Sequence, residues 1–204
     1  MNNTENPWMA AKNSNNTNSD DCSPKYEYSE SNFSLSNQLS KASALTKILF
    51  LSKRGMSRSP LAREMMQKLI SNSEFFGRIR VSSRGVTQAY DQCPIDARMS
   101  KFSSNMGYFL QGFSRFATIP DIASADLIIT LDKPSDDFVT SYAQYTNAVV
   151  HPIGIFFSSG SEPYISDPFD REDYEDVDDH YDEIVSSLQF GCSKLFANLH
   201  TLIG

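Results

Sequence analysis

The residues best suited to chemistry stand together at Ser52-Lys53-Arg54-Gly55-Met56-Ser57-Arg58-Ser59-Pro60. An apolar run precedes them and a helical pattern follows. Backbone N–H groups in such a strand-to-helix turn converge on one point, and a helix N-terminus adds partial positive charge. Arg58 brings a planar guanidinium that matches two oxygens of a phosphate. This is chemistry for a small oxyanion, with Lys53, Arg54, Gly55, Met56, Ser57, Arg58 and Ser59 as the phosphate-binding set. An ordinary turn carrying a surface arginine satisfies the same pattern. The loop is not a Walker sequence, because its spacing and a closing Gly-Lys-Ser/Thr are missing, nor is it a dinucleotide fingerprint. Lys53, Arg54, Arg58 and Arg84 all fall at expected carboxyl ends of strands, which predicts a positive funnel in an otherwise acidic chain.

The elements that must hold this loop alternate along the chain. Lys47-Ile48-Leu49-Phe50-Leu51 reads as a buried strand. Ser59 suits an N-cap and Pro60 a first helical position, with Leu61, Met65 and Leu69 at helical spacing through Ile70. A second strand starts at Gly77 and closes in Ser82-Ser83-Arg84-Gly85. A helical stretch follows over 95–109. Residues 125–132 form the third strand, 134–145 a helix, and 148–151 the fourth strand. Residues 154–172 read as a long loop and 174–202 as a final helix. The expected fold is α/β, a four-stranded parallel sheet with helices on both faces. Ligands of such sheets bind beyond the carboxyl ends of the strands.

Composition sets the limits. Of 204 residues, 40% are hydrophobic and 21% charged, an ordinary globular balance. Residues 1–45 depart from it: they are rich in Asn and Ser, contain no Gly, and have no apolar period. They are expected to be a disordered tail before a domain over 46–204. Tyr26 and Tyr28 lie among acids there and suit a tyrosine kinase, although a solvated linker is the favoured reading. The same Ser/Asn-rich start also suits an unstructured delivery signal. The net charge of −7 argues against general nucleic-acid binding. No apolar run is long enough for a membrane span, and no secretory signal is visible. Three scattered cysteines, Cys22, Cys93 and Cys192, exclude a disulfide framework and a cysteine zinc site, and fit a reduced, cytoplasmic setting. The ten carboxylates over 167–183 lack the glycine and spacing of a calcium loop. No metal and no cofactor is called for.

The stretch Ile48-Leu49-Phe50-Leu51-Ser52, then Arg58-Ser59-Pro60-x-Ala62, resembles the low-molecular-weight protein tyrosine phosphatase family. Ser83-x-Gly85, Pro94-x-Asp96-x-Arg98, Ala125-Asp126-Leu127-Ile128-Ile129-Thr130-x-Asp132 and Asp167-Pro168-Phe169 continue the resemblance in order over residues 46–204. It implies roles by position. Arg58 is the phosphate clamp, Asp167 the general acid, and Ser59 the hydroxyl that bonds the nucleophile. The nucleophile position is Ser52, where the family carries cysteine. The resemblance also shows other departures. Glycine stands one place late, leaving Arg54 where a positive φ is expected. Ser57 replaces a second cysteine, Phe169 replaces a tyrosine, and the pocket-wall aromatic falls at Ala89 beside Tyr90. Together these read as natural drift.

Ser52 decides the expectation. Amides, an arginine and a helix N-terminus lower a cysteine pKa from about 8.5 into the range ~3.5–7.5, but leave a hydroxyl protonated. A serine needs a positioned base, and His151 at the end of the fourth strand is the candidate. Loss of a nucleophile costs on the order of 10⁶ in kcat elsewhere. A pseudophosphatase that binds phosphate or a phosphotyrosine-containing protein is therefore expected. The alternatives are an active phosphomonoesterase using Ser52 and an interaction scaffold with a vestigial pocket. Arsenate reduction, found on the same fold, lacks a redox cysteine set here.

Overall fold

The computed structural model describes residues 45–157, 162–170 and 177–203. The tail expected over 1–45 lies outside them except for Leu45, as do Tyr26, Tyr28, Cys22 and the first residues of the expected last helix.

Four parallel strands form one sheet in the order β2-β1-β3-β4: β1 (Thr46–Ser52), β2 (Ile79–Gly85), β3 (Leu127–Thr130) and β4 (Val149–Pro152). The unbroken apolar run of β1 follows from its central place, buried on both faces. Ile48 and Phe50 point into one core, with Leu61, Met65 and Met66 of α1 (Arg58–Ser71), Met99 of α2 (Ala97–Asn105) and Ile184, Leu188 and Leu195 of α5 (Val177–Ala197). Leu49 and Leu51 point into the other, with Ile122 of α3 (Ile119–Ala123) and Val139 of α4 (Lys133–Ser141). A short α6 (Leu199–Ile203) ends the chain's described part. No helix among the described residues is long and apolar enough to cross a membrane.

The sheet and its two helical layers agree with the sequence expectation, and the differences lie at element ends. α1 starts at Arg58, so Ser59 is not its cap and Pro60 is not its first residue. Ser57 holds the cap position without capping, because its hydroxyl donates to Asp96 instead, at 2.8 Å. The second strand starts at Ile79, after a turn closed by Arg78 N–H to Phe75 O at 2.9 Å. α2 is shorter than expected at both ends. Asp96 caps it by accepting from Arg98 N–H, and turns at Met106 and Gly107 end it. The helix expected through 145 stops at Ser141 and continues as a 3₁₀ turn over Ala143–Tyr145. The last helix breaks at Asn198, whose side chain donates to Lys194 O at 2.8 Å. A side-chain amide competing for a helix carbonyl is a local reason to stop. α3 had no expectation; five residues are too few for periodicity, although its Thr118–Asp121 capping box was readable.

Candidate functional site

β1 ends at Ser52 and α1 begins at Arg58, so the five residues between them turn back over the carboxyl end of the sheet. Gly55 makes that turn possible. Its φ is +71°, and a Cβ there would lie 2.5 Å from the amide nitrogen of Gly85. A Cβ on Gly85 would in turn lie 2.7 Å from Arg54 O. The two glycines let the loop rest directly on β2. The positive φ expected at Arg54 is therefore carried by Gly55, and Arg54 needs none. Gly55→Ala should cost at least about 2 kcal/mol in urea unfolding, from left-handed strain plus the backbone overlap. The same variant should lose phosphate binding in titration calorimetry.

Ser52 is 1% exposed at the base of the turn. Its hydroxyl donates to Ser59 Oγ at 2.9 Å and accepts from Gly55 N–H at 3.2 Å. Ser59 passes its own proton to Arg84 O at 3.2 Å. No base joins this chain. His151 sits on β4, two strands away, with its ring against Phe156. The amides of Arg54, Met56 and Ser57 find no hydrogen-bond partner among the described residues. The buried Nε of Arg54 makes no hydrogen bond either, but it lies 3.7 Å from Asp167 Oδ2.

Arg58 is 2% exposed and held from three sides. Its Nη1 donates to Ile165 O at 2.7 Å; its Nη2 lies 2.8 Å from Asp167 Oδ2 and 2.7 Å from Asp132 Oδ2. Asp167 comes from the loop after β4, which is fixed to the sheet by Ile165 N–H to Leu131 O at 2.9 Å. Asp132 caps α4 through Ser135 N–H and also accepts Lys53 N–H at 2.7 Å. Asp96 braces the loop from below. Its carboxylate accepts hydrogen bonds from the hydroxyls of Ser57 and of Tyr181 of α5, each at 2.8 Å. Burial, and then the bond to Asp96, pushes the Tyr181 pKa up, so the phenol stays a donor.

The positive funnel expected from Lys53, Arg54, Arg58 and Arg84 is not found. Each has an acidic partner. Lys53 pairs with Asp170 at 3.0 Å, Arg54 with Asp170 at 2.8 Å, Arg58 with Asp132 and Asp167, and Arg84 with Asp121 at 2.8 Å. Arg84 thus leaves the site altogether. Arg54 instead crosses it. Its Cζ lies 5.3 Å from the Tyr90 ring centre and 4.7 Å from that of Phe169, so the guanidinium is sandwiched between two aromatic walls. The sequence reading missed Asp132, Asp170 and this sandwich. An Asp-Lys-Pro-Ser cap after the strand beside β1 was the available signal for Asp132.

Residues 47–202 match the family described as low molecular weight phosphotyrosine protein phosphatase. The chain belongs to that family. No curated protein is similar enough in sequence to count as a match. Solved structures share the family's fold. One is a protein tyrosine phosphatase from Entamoeba histolytica with Hepes in its active site: 22% identity, 76% of this chain and 97% of that one, TM-score 0.68. Another is YfkJ from Bacillus subtilis, at 18% identity, 80% and 99% coverage, and TM-score 0.70. A third is the Drosophila arginine phosphatase DARP, at 17% identity, 76% and 98% coverage, and TM-score 0.65. Within the matched span, the turn between β1 and α1 begins with Ser52.

Proposed function

We propose that this family member binds the phosphate of a phosphotyrosine-containing protein at residues 52–59 and turns it over little or not at all. The observation that carries the reading is a surplus of donors around a hydroxyl that has no base. The amides of Arg54, Met56 and Ser57 are left without acceptors among the described residues, beside the buried Arg58. Convergent unpaired amides in a turn form an anion-binding concavity, so this arrangement favours an oxyanion guest. Ser52 is bonded to a hydroxyl and an amide, neither of which can take its proton. Asp167 is the family's acid by position, but without a nucleophile it has no leaving group to protonate.

Lys53, Arg54, Gly55, Met56, Ser57 and Ser59 line the guest through their backbone or hydroxyls, and Arg58 clamps it. Serine helps binding as such. A cysteine thiolate next to a phosphate dianion repels it, and one unit-charge pair at ~4 Å with an effective dielectric of ~20 is worth about 4 kcal/mol. Arg54 sets the limit on what else enters. A substrate ring that stacks on Tyr90 and Phe169 must first displace its guanidinium. Partners on this reading are phosphoproteins of the cytoplasm.

Titration calorimetry with inorganic phosphate and with phenyl phosphate tests this. The wild-type protein should bind inorganic phosphate and release none from the aryl ester. Arg54→Ala, which keeps the amide, should bind phenyl phosphate at least about tenfold more tightly while inorganic phosphate changes less. Failure of both anions to bind either protein would leave the scaffold reading in place.

A further inference from the structure

A second groove, of ≈ 600 Å³, runs along the outer edge of β2. Its lining includes Arg63 of α1, Arg80 and Arg84 of β2, and Arg115 of the segment after α2; Glu64 is its one acid. In a chain of net charge −7 this is a local reversal of sign. Arg63 and Arg84 are engaged by Glu64 and Asp121. Arg80 and Arg115 are exposed and make no ion pair among the described residues.

The floor of the groove is an unfinished sheet edge. Thr46 N–H bonds Arg78 O, so the even-numbered residues of β2 face β1. In a parallel pair the alternate residues then turn their N–H and C=O groups outward. At the end of the strand Gly85 uses these groups: its N–H donates to Arg115 O, and its O accepts from Ala117 N–H, both at 2.8 Å. Further back, Gln67 reaches Val81 O at 3.4 Å and Arg84 reaches Ser83 O at 2.8 Å. The N–H groups of Val81 and Ser83 have no partner among the described residues. An edge with free donors is a template for an added strand.

Charge sets which strand. Ile79 and Val81 pack in the core with α1, so Arg80 and Arg84 stand on the opposite face of the sheet. Arg63 projects from the α1 side. A strand laid on this edge therefore meets guanidinium groups on both of its faces, and side chains of a strand alternate between faces. Consecutive carboxylates satisfy both.

We propose that the β2 edge is a docking site for an extended acidic peptide segment of a partner protein, which adds a strand beside Ile79–Ser83 and places its carboxylates against Arg63, Arg80, Arg84 and Arg115. The groove touches the anion cradle at Gly55, but docking along Ile79–Ser83 does not depend on phosphate chemistry.

Fluorescence anisotropy with a fluorescein-labelled Glu-Asp-Val-Glu-Asp-Glu peptide tests it on the full chain. The double variant Arg80→Glu with Arg115→Glu should bind at least about tenfold more weakly; both residues are exposed and unpaired, so folding is not at stake. A peptide of the same charge with proline at alternate positions should also lose at least about tenfold, since it cannot complete the ladder. At saturating acidic peptide, hydrogen exchange at Val81 and Ser83 should slow. Unchanged affinity in the double variant, equal binding of the proline peptide or of a single-stranded oligonucleotide of equal charge, or unprotected Val81 and Ser83 amides would each overturn the proposal.

Discussion

Ser52→Cys is expected to raise hydrolysis of p-nitrophenyl phosphate at least about 1,000-fold over the wild-type protein. The parts a thiolate needs surround position 52. Gly55 N–H already bonds the side-chain atom there at 3.2 Å, and Ser59 Oγ lies 2.9 Å from it. The start of α1 adds positive potential, which favours the ionised sulfur. Cysteine therefore becomes a nucleophile without a base, where serine cannot. The gain should be larger in an Arg54→Ala background, where the aryl group no longer competes with the guanidinium for the slot between Tyr90 and Phe169. Initial rates at saturating substrate read both effects. A revertant no faster than the parent in either background would mean that the loop does not hold the ester in line for attack.

Arg58→Ala is expected to destabilise the protein by about 3–5 kcal/mol in urea unfolding and to abolish binding of inorganic phosphate. The side chain is 2% exposed and sits between two carboxylates, Asp132 and Asp167. Removing it leaves two buried negative charges facing each other without a cation. The loss should shrink when Asp167→Asn is added, because one of those charges then disappears; the two residues touch, so non-additivity is required. Simple additivity in that double-mutant cycle would mean that the triad contributes nothing as a unit. Arg58→Lys should recover charge but not the three directed bonds, and so rescue only part of the stability.

The sheet was legible in the sequence because β1 and β3 are short apolar runs with no alternative use, and because α1 and α5 carry a clear helical period. The turn at 52–58 was legible from its neighbours: a strand before, a helix after, glycine and arginine within. What could not be read was pairing. Asp132 lies 79 residues from Lys53, and Asp167 lies 109 from Arg58, so nothing local marks either bond. Counting cations at strand ends suggested a positive funnel, but the acids that neutralise them arrive from three other segments. The start of α1 was misplaced because Ser59 and Pro60 look like a cap. The true cap position, Ser57, gives its hydroxyl to Asp96 on another element. Arg54 was read as a funnel cation and as a residue needing a positive φ, whereas its guanidinium packs against Tyr90 and Phe169 and pairs with Asp170.

The triad around Arg58 also says something about how the chain becomes itself. Its three members belong to α1, to the turn after β3, and to the loop after β4, so they meet only once the sheet has drawn distant stretches together. Contacts of such span carry a large loop-closure cost. A guest seated among them would favour the completed molecule over every partial one. A ligand bound there would act as a clasp on the entire domain, holding together stretches far apart along the chain.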